Sequence, residues 1–512
     1  MSEPREIELK LECEVSDLAT LQGHPLLHEA SAQEEADLRS VYFDTPDRQL
    51  QAVKLGLRVR RVGGRFVQTL KAEGDGLFDR PEWEQPVEGP EPDRAALADT
   101  PFARLIDEDA DLEPLFTTAI KRWTYLVEQG SSRIEVALDT GRIEAPAAGD
   151  RILPICEVEL ELKEGTASDL FALAHAIATL VPVRLGVRSK AERGYALAAG
   201  EIDRVRKAEP VPLHEDMSAA EAFRAVAHAC LRHMRLNEAI LLKGRDADAL
   251  HQMRVAIRRL RSAFSLFGDL VDDPLGARIR TELKEVTEPL GRARNLDVFL
   301  ATILPAERER HPDEVGLLGL ERQLEEERLG AYRDVDVLLS SDEWRMLLLD
   351  LISWINAGPW LRDEGKGRAS LRDEPARVFA ARELDRRRRQ VKKRGRHLDE
   401  LEPEERHRVR IAAKKLRYGA EFFAALYPEK KSRKRHAAFG KALSELQDEL
   451  GALNDIATGH ELVRELAEVP AGASTLFAAG MTAADIESRS RKLLEAAAEA
   501  HEDLVETKPF WR

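Results

Sequence analysis

Apolar and charged residues alternate one for one at two widely separated places in the first part of the chain. Ile7, Leu9 and Leu11 alternate with Glu6, Glu8, Lys10 and Glu12, while Val158, Leu160 and Leu162 alternate with Glu157, Glu159, Glu161 and Lys163. A strand sends successive side chains to opposite faces, so each segment predicts an aliphatic row backed by a carboxylate row that includes lysine. Shorter alternating stretches lie between them, and Leu57, Arg58, Val59 and Arg60 repeat the design with arginines. The pattern predicts strands over 5–15, 38–44, 55–61, 65–72, 80–88, 117–128, 132–139 and 153–163, with a hairpin turn at Gly63-Gly64 and a helix over 168–181. On this reading Glu14 joins the charged face of the first strand, and Val15 and Cys13 the apolar one. Arg133, Glu135 and Asp139 share one parity. Eight antiparallel strands leave no exposed edge if they close into a barrel or tunnel.

After Pro210 and Pro212 the period changes, and long amphipathic helices fill the rest of the chain. Breaks are expected at Asp272-Asp273-Pro274, His311-Pro312, 363–375, Glu402-Pro403, Tyr427-Pro428 and Pro470 to Gly472. This region contains an internal repeat. His251, Arg254, Arg258, Arg259 and Arg261 match His407, Arg410, Lys414, Lys415 and Arg417 position for position. Further on, Leu290 to Asp297, with Arg294 and Asn295, echoes Leu450 to Asp455 at nearly the same spacing. A duplicated helical bundle follows. On a helical wheel, Arg254, Arg258 and Arg261 lie on one side with His251, opposite Met253, Ile257, Leu260 and Phe264. The second copy sets His407, Arg410, Lys414 and Arg417 against Val409, Ala413, Leu416 and Ala420. The expected architecture is α+β multidomain: a strand tunnel over 1–200, a linker over 201–215 and an all-α domain over 216–505.

At 512 residues the chain is long enough for such domains, and 43% hydrophobic with 33% charged residues suits a globular protein. No apolar run approaches a membrane span and no signal-peptide pattern is present, so a cytoplasmic protein without membrane association is expected. Cys13, Cys156 and Cys230 lack zinc-site spacing and fit a reducing compartment, with Cys13 and Cys156 read as small core residues. A net charge of −15 argues against a general nucleic-acid binder, yet local fields decide anion binding.

Charged rows on nearly every strand have a bland explanation, a solvated sheet face. Fixed charges of both signs, repeated from strand to strand, favour a tunnel that holds carboxylates for a divalent metal and guanidinium groups for a phosphate chain. Glu6, Glu8 and Lys10, the Tyr42-Phe43-Asp44-Thr45-Pro46 segment, Leu57 to Arg60, Gln68 to Lys71 and the Glu157 run resemble the CYTH family. These triphosphate tunnel metalloenzymes include class IV adenylyl cyclases, thiamine triphosphatases and inorganic triphosphatases. The resemblance implies an eight-stranded tunnel, Mg2+ or Mn2+, and a triphosphate substrate. It implies metal-linked carboxylates at Glu6, Glu8, Glu157, Glu159 and Glu161. Phosphate-holding, catalytic cations would be Lys10, Arg58, Arg60, Lys71 and Arg122, joined by Lys190. Glu82 and Asp139 match further acidic tunnel positions, and Arg39 is a weaker candidate because its parity differs from that of Tyr42.

The helical repeat has its own bland reading, a solvated basic face. Against it, the stripes lack interleaved glutamates for i,i+4 pairs, and the repeat keeps its histidine. These motifs resemble the CHAD family, a duplicated helical domain associated with polyphosphate. The resemblance implies polyphosphate contacts from His251, Arg254, Arg258, Arg259, Arg261, Arg294, His407, Arg410, Lys414, Lys415 and Arg417, and association with polyphosphate granules. The second copy departs from the first, because Asn454-Asp455 lacks the arginine. The run Arg386 to Arg389 with Lys392, Lys393 and Arg394 is either a disordered or solvated charge block or an added anion contact. The expected function is metal-dependent hydrolysis of inorganic triphosphate to diphosphate and phosphate, with polyphosphate bound by the helices. The rivals are a non-catalytic polyphosphate-docking protein and a tunnel enzyme for thiamine triphosphate or ATP.

Overall fold

The structure is a computed structural model describing residues 5–512 except 29, 31, 32, 73, 75, 108, 147, 148, 150, 364, 366, 468–471 and 489. The chain divides into two compact units, Met1–Val205 with Asp342–Ala357 and Arg206–Ser341 with Gly358–Arg512.

The first unit is a closed tunnel of eight antiparallel strands: β1 (Arg5–Glu12), β2 (Gln33–Asp44), β3 (Leu55–Val62), β4 (Arg65–Ala72), β5 (Asp79–Val87), β6 (Glu113–Gln129), β7 (Ser132–Ala145) and β8 (Arg151–Glu164). Their order is β5-β4-β3-β2-β6-β7-β8-β1, and β1 pairs back onto β5, with Glu6 opposite Arg80, to close the wall. A two-residue strand, β9 (Arg184–Leu185), adds to β1. Gly63 and Gly64 turn the β3–β4 hairpin with φ of 51° and 87°, a region that costs other residues more. The alternation is realised as expected: Leu57, Val59 and Leu70 pack outside the wall against Phe43, Leu50, Leu97 and Phe102. Their charged neighbours are left to the interior.

Three local expectations are corrected. β1 stops at Glu12, and Glu14 begins the helix Val15–Gln22, its amide donating to Asp17 Oδ2 at 2.9 Å; Val15 is 62% exposed. An acidic pair satisfying a helix start outweighs continued alternation. Arg133 does not share the inward face of Glu135 and Asp139, because the register shifts between Arg133 and Ile134, and it pairs instead with exposed Glu164. Cys13 and Cys156 are half-buried rather than core residues. Strands β2, β6 and β7 also run past their expected ends, because ladder pairing carries segments such as Gln33 to Asp37 that have no alternation of their own.

The helix Ala167–Leu180, capped by Thr166, buries Leu170, Phe171, Leu173, Ala174 and Ile177. Asp342–Ala357 packs against it within the same unit, with His175 Nε2 3.4 Å from Asp350 Oδ1. The helix Lys190–Ala199 starts at a capping box of Ser189 and Glu192 and stops at Gly200, whose φ is 73°.

The second unit is helical. The helix Ala219–Leu241 precedes the first basic helix, Ala247–Leu266, and Ala376–Arg394 precedes the second, Pro403–Phe422. Met253, Ile257, Leu260, Phe264, Val409, Ala413, Leu416 and Ala420 are all buried, as the wheel predicts. Phe223, Phe264, Phe267, Phe379, Phe423 and Trp360 form its aromatic centre, Phe267 stacking on Phe379 at 4.7 Å. The basic run is no disordered block: it lies in Ala376–Arg394, Arg387 is 6% exposed, and Arg388 donates to the carbonyls of Val505 and Thr507 at 2.8 and 3.0 Å. Among the described residues no helix is long and apolar enough to cross a membrane.

Candidate active site and a basic cluster between repeats

Register sets the lining of the tunnel. Glu8, Lys10 and Glu12 on β1 stand opposite Glu161, Glu159 and Glu157 on β8. Across the other edge of β8, Glu161 and Glu157 stand opposite Glu135 and Asp139 of β7, and Asp139 faces Arg122 of β6. Rows predicted on separate strands therefore become one lattice.

At one level the helix Lys190–Ala199 delivers Lys190, whose ammonium lies 2.6 Å from Asp139 Oδ2 and 2.9 Å from Glu159 Oε1, and also reaches Glu157. Arg122 donates Nε and Nη2 to Asp139 at 2.7 and 2.6 Å and also meets Glu159. Lys10 reaches Glu159 at 2.8 Å and touches Glu8. Burial alone would raise these acids, but Lys190, Arg122 and Lys10 hold the carboxyls of Asp139 and Glu159 below their ordinary range. Arg193 joins them by pairing with Glu157. Sequence reasoning missed Arg193; its spacing one helical turn after Lys190 is the signal that both share a face.

A second level is formed by β3, β4 and β5. Lys71 lies 2.7 Å from Glu6 Oε2 and 3.0 Å from Glu82 Oε2, and Arg58 is 3.9 Å from Glu82. Arg58 stands opposite Tyr42, and Arg60 opposite Ser40, to whose Oγ it donates Nε at 3.1 Å. Burial, then the guanidinium groups of Arg58 and Arg122, lower the pKa of Arg60 to about 9. Among the described residues Arg60 forms no ion pair, and the buried Nε of Arg58 has no acceptor. Tyr42, missed as a lining residue, has its phenol held below its ordinary value by Arg58 and Arg60 despite burial. Arg39 is exposed, as is its partner Arg61, and lies outside this constellation.

The opposite imbalance occurs at Glu161. Burial raises its carboxyl, and Glu6 and Glu135 raise it further against the opposing Lys163 at 2.7 Å. The tunnel thus has one region short of negative charge and one short of positive charge.

All candidate metal ligands are carboxylate oxygens, the donor set of a hard divalent cation. Among the described residues, Asp139, Glu157 and Glu159 offer oxygens within 4.8 Å of one another. Their oxygens already engage Lys10, Arg122, Lys190 and Arg193, so a cation there would have to displace ammonium or guanidinium groups. Glu161 is the carboxyl left raised, by burial and by Glu6 and Glu135, and the carboxylate rows present fit a hard divalent cation.

In the helical unit the two copies of the repeat contribute to one cluster. Burial and the charges of Arg294, Arg258 and Arg254 lower His251 to about 4, and burial with Arg258 and Arg294 lowers Arg254 to about 10. Burial, Arg410 and Arg258 bring Lys414 down to about 7 against the opposing Asp455. Arg410 donates to Asn454 Oδ1 at 2.9 Å, and the buried Nε atoms of Arg254, Arg258 and Arg410 have no acceptor. His407 is exposed and not gathered in as His251 is.

The stripes are not free of glutamate, which corrects that expectation: Glu421 accepts from Arg417 one turn earlier at 2.9 Å and pairs with buried Arg259. The duplicated position is Ser265, which gives Lys415 only a hydroxyl at 3.0 Å and gives Arg387 its backbone carbonyl. Glu421 therefore neutralises one cation from each copy, Arg417 and Arg259, and Ser265 supplies no such charge.

A closed strand tunnel lined by acid and base rows, in a chain that also carries a duplicated helical unit, defines a class of two-domain proteins. In family terms the chain carries a CYTH domain, matched over residues 4–195, followed by a CHAD domain, matched over residues 225–464. It is similar to a Haemophilus influenzae protein named inorganic triphosphatase, at 38% identity over 167 residues, covering 32% of this chain and 46% of that protein. The chain thus spans less than half the length of that relative. Its helical part resembles the crystal structure of the CHAD domain from the plant Ricinus communis, at 32% identity and a TM-score of 0.50, covering 58% of this chain and 96% of that one.

Proposed function

We propose that the tunnel hydrolyses inorganic triphosphate to diphosphate and phosphate with a divalent cation, Mg2+ or Mn2+, and that the helical unit binds polyphosphate. The observation that carries the first part is the presence in one tunnel of two imbalances, Arg60 crowded by Arg58 and Arg122 without an ion pair of its own, and Glu161 raised by burial, Glu6 and Glu135. A metal-chelated triphosphate supplies both missing charges at once. Similarity to a protein named inorganic triphosphatase supports the substrate class.

Glu6, Glu8 and Glu161 would hold the cation, with Glu159 beside them. When bound, it supplies charge neutralisation to phosphate oxygens. Arg58 and Arg60 clamp those oxygens through paired N–H donors, while Lys71 and Arg122 neutralise charge at either side. Lys190 and Arg193 keep Asp139, Glu157 and Glu159 ionised and fixed. Water adds to the terminal phosphorus, the bond to the bridging oxygen breaks, and diphosphate leaves. Positioning and cationic stabilisation account for most of such catalysis.

For the helical unit, the buried Nε atoms that lack acceptors in Arg254, Arg258 and Arg410, with Lys414 among them, support a polyanion ligand. The test is phosphate release by the purified protein with Mg2+ from triphosphate, ATP, thiamine triphosphate and long-chain polyphosphate side by side. Triphosphate should turn over fastest. No release from any of them removes the hydrolase reading, and faster release from a nucleotide or thiamine ester replaces the substrate.

A further inference from the structure

Cys13 and Cys156 play no part in the proposed chemistry, yet the fold brings them together across 143 positions of sequence, with sulfurs 3.8 Å apart. Cys13 directly follows β1 and Cys156 lies in β8, one register step beyond Glu12 opposite Glu157. The Cys13 amide donates to the Cys156 carbonyl at 3.3 Å, so the backbones that carry the two thiols are tied to each other. Alternation places Glu12 and Glu157 on the charged side of the wall and the cysteines on the other side. Both cysteines are half-buried, whereas Cys230 is 1% exposed inside the helical unit.

We propose that Cys13 and Cys156 are a covalent modification site, a dithiol that reacts with a low-molecular-weight disulfide and closes into a reversible cross-link between β1 and β8. In the first step one cysteine sulfur attacks the small disulfide, forming a mixed disulfide and releasing one small thiol. The neighbouring cysteine then attacks the protein sulfur of that mixed disulfide, forming the Cys13–Cys156 bond and releasing the second small thiol. Two protein thiols are oxidised and one small disulfide is reduced to two thiols. The sulfur gap must close to about 2 Å, a movement within reach of side-chain rotation at two positions whose backbones are hydrogen-bonded. The bond would close a long loop and constrain the unfolded chain, raising the unfolding midpoint.

Full-length reduced protein is incubated with oxidised glutathione and mapped by mass spectrometry, folded and after denaturation. The expected product has lost two hydrogens, yields a linked peptide pair containing Cys13 and Cys156, leaves Cys230 unmodified, and melts higher. Dithiothreitol reverses all of this. Cys13→Ser and Cys156→Ser, each checked by circular dichroism, should instead retain one glutathione, because the second step has no partner. Stable glutathione adducts on the wild-type protein without a cross-link would overturn the proposal. Failure of the folded protein to react, while the denatured chain does, would overturn it too.

Discussion

Arg60 is half-buried, hydrogen-bonded to a serine hydroxyl, and flanked by two guanidinium groups instead of a carboxylate. Isolating such a cation costs stability unless an anion arrives. Arg60→Ala should lower kcat/KM by about 10²–10³, the loss seen for a single oxyanion donor, with the fold intact by circular dichroism. Arg60→Lys should be damaging but milder, since lysine keeps the charge and loses the paired donors. Wild-type kinetics in both variants would favour a solvated wall. Lys414 makes a pH prediction. Its ammonium is brought down to about 7, so the charged form is favoured as pH falls through that value. Polyphosphate affinity should therefore rise from pH 8 to pH 6. Lys414→Arg should hold its affinity at pH 8, and Lys414→Gln should flatten the profile, as read by titration calorimetry. At this scale the sequence displayed residue types and parity, but it could not tell Arg60 from Arg122, because pairing with Asp139 depends on a neighbouring strand.

The helix Lys190–Ala199 shows how an element carries a site. A Cβ on Gly194 would lie 2.0 Å from the buried ring of Phe116, which stacks on Tyr42 at 4.6 Å. Gly194→Ala should cost about 1–3 kcal/mol by overpacking. It should also lower turnover by displacing Lys190 and Arg193, measured by denaturant unfolding beside phosphate release. Full turnover at reduced stability would separate the helix from the chemistry. The two basic helices differ at one duplicated position. Ser265→Glu should give Lys415 the carboxylate that Arg259 already has in Glu421, stabilising the protein while weakening polyphosphate binding. Unchanged binding would remove that half of the cluster from the ligand path. The repeat, its buried stripe and most helix breaks were legible, because period and capping residues are local signals. The Arg259–Glu421 pair was not, since the two lie on different helices, whereas the Arg417–Glu421 pair one turn apart on one helix could have been read from spacing.

Across the whole molecule, charge is sorted into an acid-and-base tunnel and a cationic helical cluster within a chain of net charge −15. Chelation of divalent metal should abolish triphosphate turnover, and Mg2+ should restore it. Polyphosphate binding, by contrast, should survive chelation and fall with rising salt, as counterion release requires. Metal-independent turnover would refute the carboxylate assignment. The sequence by itself determined the strands, their inward faces, the turn at Gly63-Gly64, the helical repeat and the inventory of charged groups. Each of these follows from spacing along one segment. Tertiary structure alone decided that Asp139, Glu157 and Glu159 are compensated by Lys10, Arg122, Lys190 and Arg193, while Glu161 stays raised beside Glu6 and Glu135 despite Lys163. It alone decided that Arg58, Arg60 and Arg122 crowd together, that the repeats share one cluster, and that Cys13 meets Cys156. Register between strands and packing between helices set those distances. Electrostatic energy depends on separation and burial, neither of which a single segment records.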